Sequence, residues 1–346
     1  MADFYSQENH GPFHLFEMES FDLEEGGRLR NCTLAYATHG TLSPAKDNVV
    51  LMPTWYSGTS KIMEQLFIAP GRALDPARWF IVVVNQIGSG LGSSPHNTPA
   101  PFNGPRFPHV RIGDDVEAQR RLLTEKFGVK EVALVCGGSM GAQQTYEWAV
   151  RFPDMVRRAA PIAGTARNTP HDFIYGAMVG DTIKSDPAWK DGWYRDASDV
   201  HVGLRRQAQL WSLMGLCPEF YKREIWRSMG FSSVEDFTVG FIEGYFLPMD
   251  PNDLLCQAWK WQRGDVARHT RGDLKAALGR IKAKTFVMPI SSDMFLPVQD
   301  CADEQALIPD SELRVIESHG GHFGLFGFEP GYFEQLDRHL RDLLAD

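Results

Sequence analysis

The chain has 346 residues, enough for one large domain or two ordinary ones, and 43% hydrophobic against 23% charged residues excludes a disordered chain. With 35 Lys and Arg against 44 Asp and Glu the formal net charge is -9, which argues against a nucleic-acid partner held through its phosphates. The longest apolar runs, 80–84 and 132–136, are too short for a bilayer, and the first residues lack the basic start and apolar stretch of a signal peptide.

In chain order, residues 48–53 and 79–84 are rich in Val and Ile and end in turn residues, which predicts buried strands. Residues 114–127 set Val116, Leu122, Leu123 and Phe127 among charges, a helical pattern stopped by Gly128. A strand at 131–136, a glycine turn, a helix at 142–152 and a strand at 156–163 follow. Strand and helix in alternation predict a parallel sheet covered on both faces. The rhythm breaks near Gly164. From 165 to 272 there are helical pieces without a strand run, and six of the nine tryptophans fall there, among them Trp211 and Trp261. Such rings serve as core, and a cluster this dense can also wall an apolar pocket. The first rhythm returns with a strand at 285–290, a helix at 298–307, a strand at 313–316 and an amphipathic helix at 332–344. The expectation is an α/β core over 1–164 and 273–346 with a helical lid subdomain over 165–272.

Gly137-Gly138-Ser139-Met140-Gly141 is a GxSxG pattern between an apolar strand and a helix, the setting in which that short pattern acquires meaning. A serine at the tip of such a turn needs small neighbours, and the following helix aims its first N–H groups and positive dipole end at a developing oxyanion. A hydroxyl becomes a useful nucleophile only when a base takes its proton and an acid orients the base. Asp293, after the strand at 285–290, and His322, after the strand at 313–316, stand in the right order. Asp300, Asp303 and Asp310 are rival acids on a helix or its exit turn, and His319 is the rival base. The glycine pair before His322 favours it, because it lets a loop carry the imidazole back over Ser139. Met140 N–H is the first expected oxyanion donor; the second lies in the turn after residue 53, with Tyr56 preferred to Trp55. The five cysteines (Cys32, Cys136, Cys217, Cys256, Cys301) are scattered without a CxxC pair. Reduced thiols in a cytoplasm, with no disulfide framework, metal or cofactor, are expected.

These residues resemble a known group. NQIGSGLGSSP at 85–95, GGSMGAQQTYEWAVRFPD at 137–154, residues 163–167 leading to Asp186-Pro187-Ala188-Trp189, Ser292-Asp293-Met294-Phe295-Leu296-Pro297 and Gly321-His322 are similar to the homoserine O-acetyltransferase branch of the α/β-hydrolase superfamily. The resemblance implies an α/β-hydrolase fold: a mostly parallel sheet flanked by helices, with a helical lid that often forms a homodimer. It also implies Ser139 as nucleophile with Asp293 and His322 as its partners. It departs where that branch recognises homoserine. An Asp follows the catalytic His in the acetyltransferases; here Phe323 does. A lid arginine holds the homoserine carboxylate there; Arg205 and Arg206 lie in the corresponding stretch, and LPMDPND at 247–253 replaces an Arg-Phe-Asp segment. Trp55, Phe323, Arg206 and Trp211 are the expected substrate contacts, with Glu243 or Asp250 as other possible readers of an amino group. The leading reading is a serine hydrolase of a small, largely apolar ester, lactone, thioester or activated amide. An O-acyltransferase using acyl-CoA is the alternative, and a non-catalytic binding protein the lesser one.

Overall fold

The structure, a computed structural model, describes residues 4–345. Eight strands form one sheet: β1 (His14–Asp22), β2 (Arg28–His39), β3 (Val49–Pro53), β4 (Phe80–Val84), β5 (Leu134–Gly138), β6 (Arg158–Ile162), β7 (Lys284–Val287) and β8 (Ser311–Leu313), in the order β1-β2-β4-β3-β5-β6-β7-β8. β1 pairs antiparallel with β2 and β2 with β4; every other pairing is parallel. The longer helices are α1 (Ser60–Phe67), α2 (Ile112–Arg121), α3 (Met140–Arg151), α4 (Pro170–Lys184), α5 (His201–Met214), α6 (Pro251–Gln262), α7 (Val298–Gln305) and α8 (Tyr332–Ala345).

The central strands are apolar on both faces because both faces are covered. In β3, Val49 and Leu51 join one buried layer while Val50 and Met52 join the other. Tyr332, Leu336, Leu340 and Leu343 recur at helical spacing along α8 and seal the second layer. Between β6 and β7 the described chain forms no strand, only an isolated bridge from Arg167 to Asp265. Its helices build a third apolar cluster that also takes in Tyr56, Met140, Phe295 and Phe323 from the strand ends. Among the described residues no helix is long and apolar enough to cross a membrane.

Several boundaries move. The strand expected at 131–136 is Leu134–Gly138, so the extended backbone runs through both glycines to Ser139. The helix expected at 114–127 starts at Ile112, with Asp114 accepting the Arg111 N–H at 2.7 Å, and passes into a π turn at Leu122–Lys126. The strand expected at 285–290 shortens to β7 and the one expected at 313–316 moves back to β8, sharing only Leu313 with it; beyond them single bridges at Met288, Ile290 and Ile316 continue the pairing. β1 and β2 have no counterpart in the sequence reading. β1 is an edge strand that buries only Met18 and Phe21 of its nine residues, too few to form an apolar run.

Candidate active site

β5 ends in a turn so tight that Ser139 adopts φ 55° and ψ -121°. Such a backbone costs a residue with a Cβ about 1–3 kcal/mol and persists only where its surroundings hold it. The flanking glycines show what holds it. A Cβ on Gly137 would come within 2.7 Å of the Gly141 backbone, and one on Gly141 within 2.6 Å of Pro53 O. The turn therefore closes on itself and drives the start of α3 against the end of β3.

Two loops complete the constellation. Asp293 lies beyond β7, and its Oδ1 accepts the Phe295 and Leu296 N–H groups, each at 2.9 Å. Its Oδ2 meets His322 Nδ1 at 2.7 Å, and His322 Nε2 meets Ser139 Oγ at 2.8 Å. A carboxylate accepts, so Nδ1 carries the proton and Nε2 is left free to accept from the serine hydroxyl. All three side chains are buried, and Phe295 packs edge-on against the imidazole at 5.2 Å. His319 stays apart: its N–H donates to Glu329, its carbonyl accepts from the Cys217 thiol, and among the described residues its ring makes no hydrogen bond. Asp300 and Asp303 sit on α7, where Asp303 bonds Gln299, and His322 pairs with neither.

Trp55, Tyr56, Trp211, Tyr245, Phe323 and Phe326 surround the space beside Ser139 and His322. That cavity is about 20 Å³, little more than a single water needs. Phe323 stacks on Trp211 at 5.6 Å and 20°, and Trp211 stacks in turn near the His322 ring at 6.3 Å. Met140 begins α3, and the loop after β3 carries Tyr56; among the described residues neither N–H donates to a protein acceptor. Arg206 does not join these residues. It is exposed and donates to the Ser185 carbonyl and hydroxyl at 3.1 and 2.7 Å, because it faces outward on α5 while Trp211 faces inward. Arg205 instead lies 3.4 Å from Glu243, which also accepts from Gln209. Asp250 caps α6 and accepts from Tyr194. Glu243 and Asp250 are thus engaged elsewhere and neither lines the cavity. Of the six tryptophans between 165 and 272 only Trp211 reaches it. Sequence reasoning passed over Tyr245 and Phe326, for which no motif exists, and Gln86, which lies inside the quoted 85–95 segment without a stated role.

Residues 48–328 match the family model described as alpha/beta hydrolase fold. The chain is 57% identical to an ethyl acetate hydrolase of Pseudomonas veronii over 100% of this chain and 99% of that one. The solved structure of an acetylester hydrolase from Corynebacterium glutamicum superposes with a TM-score of 0.98 at 56% identity, covering 99% of both chains. A homoserine O-acetyltransferase of Leifsonia xyli subsp. xyli is 34% identical over 88% of this chain and 83% of its own. The chain belongs to the α/β-hydrolase family, on the branch that also holds homoserine O-acetyltransferases.

Proposed function

We propose that the protein is a serine esterase that cleaves small uncharged esters, those of acetyl-sized acids foremost, through an acyl-enzyme on Ser139. The observation that carries this is the pair of hydrogen bonds, 2.7 and 2.8 Å, that joins Asp293 to His322 and His322 to Ser139. Ser139 Oγ attacks the ester carbonyl carbon while His322 Nε2 takes its proton and Asp293 stabilises the imidazolium. The carbonyl oxygen becomes an oxyanion facing the N–H groups of Met140 and Tyr56. The bond to the alkoxy oxygen then breaks, and His322 returns the proton to the departing alcohol. A water attacks the acyl carbonyl, again losing its proton to His322, and collapse frees the carboxylic acid and restores the Ser139 hydroxyl.

The names of two relatives above 50% identity, an ethyl acetate hydrolase and an acetylester hydrolase, support a short acyl group. Trp211, Tyr245 and Phe246 reach over Ser139 from the helical segment, which acts in this reading as a lid over 165–272. A cytoplasmic location goes with it, supported by five unpaired cysteines.

Phe323 argues against homoserine as acceptor. An ammonium buried against rings without a carboxylate costs several kcal/mol, and the nearby Glu243 already faces Arg205. The enzyme is expected to release acid from ethyl acetate and 4-nitrophenyl acetate without an added acceptor. With acetyl-CoA and homoserine it is expected to release no thiol. Efficient formation of O-acetylhomoserine would replace the esterase reading with the acyltransferase.

A further inference from the structure

An oxyanion hole works only if its peptide planes are held before the charge develops. Here one buried glutamine, Gln86, holds the Trp55–Tyr56 plane through its carbonyl, and a second, Gln144, holds the carbonyls of the neighbouring Thr54–Trp55 and Met140–Gly141 peptides. Gln86 Nε2 donates to Thr54 O at 3.0 Å and to Trp55 O at 3.1 Å. Gln144 Nε2 donates to Thr54 O at 3.0 Å and reaches Met140 O at 3.3 Å. Both side chains are wholly buried.

The consequence follows from peptide geometry. In a trans peptide the carbonyl and the next N–H point to opposite sides, and the bond between Trp55 and Tyr56 is trans. Drawing Trp55 O back onto Gln86 therefore turns Tyr56 N–H to the other side of the loop. Gln144 ties that loop to the first turn of α3, so one side chain sets the spacing between the segments that carry Tyr56 and Met140.

The direction of each amide is fixed from behind. The Trp148 indole can only donate, and it donates to Gln119 Oε1 at 2.7 Å; Gln119 Nε2 donates to Gln144 Oε1 at 2.6 Å. Gln144 must then present its NH2 to Thr54 O. Gln86 Oε1 faces the Lys260 ammonium at 3.5 Å, which leaves its own NH2 for the two carbonyls. Lys260 is in turn anchored by Asp115 and by Ile87 O, all of it in the interior. A flipped amide would set donor against donor at one end and acceptor against acceptor at the other.

We infer that Gln86 and Gln144 are positioning residues of the oxyanion hole that do not touch substrate, Gln86 through the Trp55–Tyr56 peptide and Gln144 by tying the Thr54 carbonyl to the first turn of α3. The inference rests on the reading of the Tyr56 and Met140 N–H groups as the oxyanion donors. Gln86→Met and Gln144→Met keep the bulk and remove the donors, and Gln119→Leu loosens Gln144 from one residue further away. For 4-nitrophenyl acetate the two Met variants should lose about 10- to 100-fold in kcat, with KM within threefold of wild type. Affinity for an alkyl trifluoromethyl ketone, which binds as a hemiketal oxyanion on the serine, should fall by the same factor. Gln119→Leu should show a smaller loss of the same kind, and it serves if a Met variant fails to fold. A kcat within threefold of wild type and an unchanged ketone affinity in the folded variants would overturn the inference. So would a loss carried by KM and thermal stability alone, the mark of a packing role. Wild-type turnover and its inhibition by the ketone test the esterase reading separately, since neither depends on the substitutions.

Discussion

At the scale of single residues the site depends on which nitrogen carries which proton. Asp293 spends one oxygen on two backbone N–H groups and the other on His322, so the imidazole is held in one tautomer and one orientation. In the esterase reading Ser139 and His322 act as a unit, so Ser139→Ala and His322→Ala should each lower kcat by several powers of ten, with the double variant no worse than either. A fluorophosphonate probe should label wild type and fail to label Ser139→Ala. His319→Ala should leave kcat within about tenfold, because its ring makes no hydrogen bond among the described residues. Labelling that survives in Ser139→Ala, or a larger loss at 319 than at 322, would reassign these roles.

At the scale of elements, the helical segment between β6 and β7 supplies Trp211, Tyr245 and Phe246 to the cavity beside the serine. Tyr245, just before α6, donates to Ser57 O at 3.1 Å and lies 3.5 Å from the Trp55 indole nitrogen. With Tyr56 and Ser57 it forms the wall between the cavity at Ser139 and a second cavity of about 220 Å³. Tyr245→Ala should join the two. Four further methylenes would then be buried at about 0.8 kcal/mol each, so the kcat/KM ratio of hexyl acetate to ethyl acetate should rise at least about tenfold. A series of n-alkyl acetates measures it, and an unchanged ratio would mean that the wall is not the limit on chain length.

At the scale of the whole molecule, α7 is tied to the loop that leads from β6 into the helical segment. Glu304 accepts the N–H groups of Ala166 and Arg167 at 2.6 and 3.0 Å, and burial pushes its carboxyl up from 4.5 to about 8. An acid raised in this way keeps its proton longer in the folded chain than in the unfolded one. The native state then binds more protons between about pH 4.5 and 8, and Glu304 withdraws stability as pH rises through that window. Glu304→Gln removes the titration. The urea midpoint of wild type relative to the variant should therefore be highest near pH 5 and fall toward pH 8. A difference that stays constant across the range would mean that Glu304 is ionised throughout.

The sequence by itself determined what a few neighbouring residues can decide. Runs of Val and Ile made β3 and β4 legible, the return of strand and helix after residue 272 marked the insertion, and the small residues around Ser139 announced a strained turn. The order of Ser139, Asp293 and His322 was readable because each follows a strand. β1 was not, since an edge strand with two buried residues has no apolar run to read. Only the tertiary structure decided which groups meet. Asp293 and Ser139 stand 29 and 183 residues from His322, and their hydrogen bonds come from the order of β5, β6, β7 and β8 in the sheet, which brings the loops after β5, β7 and β8 together at one edge. The same packing turned Arg206 outward, occupied Glu243 and Asp250 with other partners, and set Gln86 and Gln144 behind the loop after β3. Backbone propensity acts over a turn or two of chain. Hydrogen-bond partners are chosen through space, by whichever polar groups remain unpaired once the apolar layers have closed.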